Sequence, residues 1–137
     1  IMIGILIMIT CVILMYIMPV DLLTLKFASL MGSGFYVLSI ILMFAGVGWA
    51  MINVNSLPMV VDMTDDEHIG TYTGLYYFHS QLAATLGPVF FGWTIQWAHN
   101  DYRLMMVIAP FFFLLAFLMM IGVRKGEADT APEVAEN

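Results

Sequence analysis

The 137 residues are 62% apolar and only 10% charged, with a formal net charge of −6. Four Lys and Arg residues against ten acidic ones leave no basic face for a nucleic acid, and a single cysteine excludes an intrachain disulfide or a thiolate metal cluster. Residues 1–20, 35–61, 69–98 and 104–123 contain no Asp, Glu, Lys or Arg; a bilayer core about 30 Å thick needs roughly 20 such residues per helix, so an ordinary soluble domain is excluded as well.

The first run, residues 1–20, lacks the charged leader, short apolar core and small-residue cleavage site of a secretory signal, and reads as a membrane span. It opens at Ile1 without an initiator Met, so the expectation is a fragment of a longer polypeptide. The span should stop near Met18-Pro19, because proline cannot continue the hydrogen-bond ladder, and Asp21 is a candidate cap for the next turn. Residues 21–34, with Lys26 and the Gly32-Ser33-Gly34 break, read as a surface connection.

The second run, residues 35–61, exceeds the minimum span and should tilt or bend, with Gly46, Gly48 and Pro58 the places where bending costs least. Asn53, Asn55 and Ser56 precede Pro58, whose missing N–H frees a carbonyl one turn earlier. Polar side chains beside an interrupted backbone are how transporter helices build solute or ion sites, whereas the plainer alternative is two Asn residues bonding neighbouring helices. The polar link that follows carries Asp62, Asp65, Asp66 and Glu67, and its Gly70 and Gly74 leave room for close backbone approach.

The third run, residues 69–98, has Gly87-Pro88 near its middle, where a kink is expected. Tyr77, Gln81 and Thr85 recur every four residues and share one face, while Tyr72, Tyr76 and His79 line an adjacent one. Gln81 and Tyr77 suit the hydroxyls of a sugar-like solute, although Gln81 serves equally well as interhelical glue. His79 suits proton relay, because an imidazole can both give and take a proton; a neutral His packed between helices is the competing reading. Trp93, Trp97 and Tyr102 read as an interfacial aromatic belt.

A very short turn at His99, Asn100 and Asp101 should set the third and fourth helices side by side and antiparallel. The fourth run, residues 104–123, is mostly Leu, Met, Phe, Ile and Val and suits a lipid-facing scaffold. Residues 126–137 form an acidic tail expected to be disordered. Four spans put the 62–69 link and the tail on one side, and Arg124-Lys125 abutting the last span favours a cytoplasmic C-terminus. No metal constellation, activated nucleophile or acid pair is present, so neither an enzyme nor a cofactor is expected.

The run G-W-A-M-I-N-V-N-S-L-P-M-V-V-D-M at 48–63, followed by G-T-Y-T-G-L-Y-Y-F-H-S-Q at 70–81, resembles major facilitator superfamily carriers. It is most similar to their glycoside/cation symporters and sucrose–proton symporter-like relatives. The D-Y-R-L-M-M-V at 101–107 and V-R-K-G-E-A at 123–128 resemble the last helix and tail of such carriers. The resemblance implies an all-α polytopic membrane protein whose four transmembrane helices form the C-terminal part of a twelve-helix fold. It further implies cation-coupled uptake of a sugar or similar small solute, with proton or sodium, by alternating access in the plasma membrane. The partners implied are the lipid bilayer and the missing N-terminal helices that carry most coupling residues. Asp62, Gly70 and Gly74 match the family's cytoplasmic gate, though Thr71, Tyr72 and Thr73 stand where many members place a basic residue. The alternative is a free-standing four-helix membrane protein acting as an oligomeric small exporter or assembly subunit.

Overall fold

The computed structural model describes residues 1–30 and 33–123, with the side chains of 27–30, 33 and 34 excepted. The expected acidic tail at 126–137, the Arg124-Lys125 pair and Gly32 lie outside the described residues. Among the described residues five helices and one hairpin follow in chain order: α1 Met2–Ile17, α2 Val20–Leu23, β1 Lys26–Leu30, β2 Ser33–Tyr36, α3 Val37–Asp62, α4 Ile69–Trp97 and α5 Arg103–Ile121.

Helix α1 is the centre of the bundle, packed against α3 on one side and α5 on the other. It supplies Gly4, Ile5 and Cys11 to the small buried core, where Ile41 and Gly48 of α3 meet them. The crossing is set by two glycines. A Cβ built on Gly4 would stand 2.7 Å from the Gly48 carbonyl oxygen, and one built on Gly48 would stand 3.0 Å from the Gly4 carbonyl oxygen and from Ile7. Membrane helices gain little by moving apolar groups from lipid to protein, so close backbone approach through small residues is what gives such a pair its packing contacts. Most large apolar side chains accordingly face outward, Val54 and Met119 at 70% exposure among them.

Helices α3 and α5 are each long and apolar enough to cross a membrane. Helix α1 covers 16 residues, about 24 Å, and ends at Met18-Pro19 as expected. Helix α4, at 29 residues, has ample length, but Tyr, Thr, His, Ser and Gln dilute the apolar character of its first half. All three internal prolines, Pro58, Pro88 and Pro110, sit within continuous helices.

The connection at 21–34, read from the sequence as a surface connection, contains regular structure. Pro19 precedes the single turn of α2, and β1 then pairs antiparallel with β2, so the described residues are mostly helical with one short hairpin. Asp21 lies in the first turn of α2 and makes no cap bond with its side chain. Phe35 and Tyr36 belong to the hairpin and delay the start of α3 to Val37, whose N–H donates to the Leu25 carbonyl at 3.2 Å. A strand pair satisfies in place the backbone groups that a loop beside the membrane would leave to water. The α3–α4 link is also shorter than expected, since Gly70 and Gly74 are already helical. Nothing stands within 4 Å of a Cβ built on either, so the close approach expected there occurs at Gly4 and Gly48 instead.

The α4–α5 turn is closed by backbone chemistry. His99 and Asn100 take φ of 55° and 65°, and the Asn100 N–H reaches back to the Ile95 carbonyl at 2.9 Å, the six-residue closure of a Schellman end. Asp101 accepts the Arg103 N–H at 2.9 Å and so caps the start of α5. Beyond the turn, Phe90 and Phe91 meet Phe112 at ring distances of 5.9 and 6.5 Å, bringing the two helices together as an antiparallel pair through rings. Glycine at His99 should raise the melting temperature, worth up to about 1 kcal/mol, whereas Asp101→Ala should cost about 1 kcal/mol. Thermal unfolding of the purified protein in detergent checks both, and a His99→Gly variant that melts lower would contradict the assigned closure.

Candidate functional site

The polar residues of α3 and α4 first solve a local problem. In hydrocarbon an unpartnered donor costs several kcal/mol, so each polar side chain needs an acceptor at hand. Asn53 Nδ2 donates to the Trp49 carbonyl at 2.9 Å, Asn55 Nδ2 to Met51 at 2.7 Å and Ser56 Oγ to Ile52 at 2.6 Å. Thr85 Oγ1 donates in the same way to the Gln81 carbonyl at 2.9 Å. These are bonds to the carbonyl one turn back on the same helix, not bonds between helices. The donors are thereby satisfied, while the side-chain oxygens of Asn53 and Asn55 remain unengaged among the described hydrogen bonds.

His79 Nδ1 lies 2.8 Å from the Leu75 carbonyl. A carbonyl only accepts, so this contact calls for a proton on Nδ1, and in the neutral ring Nε2 is then the acceptor. No described side chain donates to the Val54 carbonyl, the group that Pro58 leaves without its helical partner.

Three hollows gather most of the sequence-predicted site residues. Tyr77, Gln81 and Thr85 line one of about 450 Å³ on α4, together with Gly74, Phe78 and Leu82. Tyr72, Tyr76 and His79 line a second of about 240 Å³, together with Leu75 and with Val60 of α3. Asn55, Pro58 and Asp62 line a third of about 470 Å³, where the end of α3 meets the start of α1 and Met120 of α5. Asn53 lines none of these, and Gly70 and Pro88 also stand outside them. Gln81 of α4 and Asn55 of α3 are therefore not brought to one cavity by the described helices.

Helix α4 is what sets this arrangement apart. It has no buried residue, and it touches α3 only modestly and α5 mainly through the phenylalanine rings. Its C-terminal end carries Trp93 and Trp97 stacked at 6.4 Å with 15° between their planes, and Trp97 is 82% exposed. No group of three or more His, Cys, Asp or Glu side chains is placed to hold a metal among the described residues.

A family model for the Major Facilitator Superfamily matches residues 1–136. The chain belongs to the major facilitator superfamily. Comparison with curated proteins and with solved structures returned no match. Membership makes the chain part of an integral membrane transporter acting on small solutes, of a superfamily whose members are carriers rather than enzymes. Two features of this superfamily member escaped the sequence reading. Gly4 had a detectable signal, a small residue inside an apolar span, where close helix crossing is expected. Pro110 within α5 was equally visible in the run read as uniform scaffold.

Proposed function

We propose that this chain contributes the C-terminal helices of a twelve-helix symporter that takes up a sugar or a similar small solute with protons or sodium. The observation that carries the reading is the hollow on α4. Tyr77, Gln81 and Thr85 present a phenol, an amide and a hydroxyl along one face, beside the Phe78 ring, on a helix that the others leave uncovered. A polyhydroxylated solute needs that mixture of donors, acceptors and an apolar platform. In this reading α1 and α5 are the supporting layer, α3 and α4 face the solute path, and the N-terminal helices complete it. His79, with Nε2 free to accept, suits a proton step, and Asp62, Gly70 and Gly74 belong to the cytoplasmic gate. The protein then resides in the plasma membrane with its C-terminus in the cytoplasm.

Uptake by the full carrier in proteoliposomes, measured over a panel of labelled mono- and disaccharides with imposed proton or sodium gradients, tests the reading. At least one sugar should accumulate above its external concentration, and an ionophore that collapses the gradient should abolish the accumulation. Transport of no sugar in the panel, or equal uptake with and without a gradient, would remove the symporter assignment.

A further inference from the structure

We propose, resting on the reading that α3 and α4 line the solute path, that Trp49 of α3 faces that path and is the platform against which the apolar side of the solute stacks.

The depth of this indole sets it apart. Of the three tryptophans, Trp93 and Trp97 lie near the C-terminal end of α4, where a ring can stay in hydrocarbon while its N–H meets the headgroup layer. Trp49 lies near the midpoint of the 26-residue α3, about 18 Å from either end, and is 57% exposed. Among the described residues its indole N–H donates to no acceptor. Facing lipid at that depth, the ring would hold an unpaired donor in hydrocarbon, which is strongly penalised. Water or a polar solute on that side removes the penalty.

The neighbours on the same face are polar. Trp49, Asn53, Ser56 and Val60 recur at helical spacing and share one side of α3. Gly48, which meets α1, is about 100° round the helix from Trp49, so this side is not the one packed on α1. Asn53 Nδ2 donates to the Trp49 carbonyl at 2.9 Å, which holds the amide one turn from the indole and leaves its oxygen without a donor among the described hydrogen bonds. At the C-terminal end of the face, Val60 borders the hollow of Tyr72, Tyr76 and His79. Toward the N-terminus, Gly46 brings no side chain, and nothing stands within 4 Å of a Cβ built there. Helical side chains lean toward the N-terminus, so the indole leans toward that clear turn.

A sugar fits these surfaces. The C–H groups on one face of its ring suit the π-face of an indole, while hydroxyls at its edge accept from the indole N–H and donate to the Asn53 oxygen.

The test uses the full-length carrier with its own cysteines, Cys11 included, replaced by alanine. Trp49→Cys, Asn53→Cys and Phe111→Cys are then made singly, Phe111 being 64% exposed near the middle of α5 and serving as the lipid-facing reference. Trp49→Cys and Asn53→Cys should react with water-soluble methanethiosulfonate ethyltrimethylammonium at least about tenfold faster than Phe111→Cys, because the reactive thiolate forms only where water reaches. Rates no faster than that of Phe111→Cys would overturn the proposal, whether lipid or another helix covers the face. Should Trp49→Cys fail to reach the membrane, Asn53→Cys decides. The stack itself is read from the KM of a sugar that the uptake panel shows to be carried. Trp49→Phe, which keeps a ring, should stay within about threefold of the unaltered carrier, and Trp49→Leu should raise KM about tenfold with surface expression retained. An unchanged KM in Trp49→Leu would overturn the platform. Transport of no sugar in the panel removes the symporter reading, and labelling, which needs no solute, still decides whether Trp49 faces the path.

Discussion

Gly4→Ala destabilises the bundle by about 2 to 3 kcal/mol, although alanine is the better helix former by roughly 1 kcal/mol. The new methyl would sit 2.7 Å from the Gly48 carbonyl oxygen and 3.0 Å from an Ile52 side-chain carbon. A backbone oxygen held in the α3 hydrogen-bond ladder cannot swing aside as a side chain can, so α1 and α3 must separate along their contact. The loss is felt widely because α1 is also the helix on which α5 rests. Gly48→Val, whose Cβ meets the Gly4 carbonyl and Ile7 at 3.0 Å, should act in the same direction.

Gly46 and Gly92 provide the comparison, since a Cβ at either has nothing within 4 Å. Alanine at those positions should leave the melting temperature unchanged or raise it slightly. Thermal unfolding in detergent, with tag fluorescence on size exclusion as a second measure, separates the two pairs. A Gly4→Ala protein that melts with the wild type would mean that the helices do not cross at these glycines.

On the proposed solute path, Gln81→Ala should lower uptake of the carried solute about tenfold at concentrations below saturation, as the loss of one or two hydrogen bonds to a neutral ligand would. The Gln81 side chain is exposed on α4, and among the described residues its amide has no hydrogen-bond partner. Tyr77→Phe in the same hollow should cost somewhat less, because the ring that forms its wall remains. The expected change is in the apparent KM, with surface expression and melting temperature retained. Were Gln81 a bond between helices instead, melting temperature and expression would fall while the remaining protein kept its KM. Val89→Ala, at 66% exposure outside the hollow, should alter neither property.

Helix positions were readable because their causes are local. Uncharged runs, Met18-Pro19 and the short turn before Arg103 locate α1, α3, α4 and α5 to within a few residues. The hairpin at 26–36 was missed because strand pairing depends on two segments finding each other, and residues around Gly32-Ser33-Gly34 carry turn composition that looks like any loop. The periodicity of Tyr77, Gln81 and Thr85 predicted one shared face, and all three border one hollow. Asn53 and Asn55, two residues apart, necessarily point in different directions on a helix, and only Asn55 borders the cavity at the end of the bundle.

Composition and spacing alone therefore determined that the chain is a helical membrane protein and which of its helices carry polar groups, since hydropathy and helix period act residue by residue. The tertiary structure decided that α1 is the centre, that Gly4 and Gly48 rather than Gly70 and Gly74 bring backbones together, and that Asp62 shares a hollow with Met120. Each of these is a contact between residues far apart in the chain, and in a membrane, where every span is apolar, no hydropathy pattern distinguishes the face that meets a helix from the face that meets lipid.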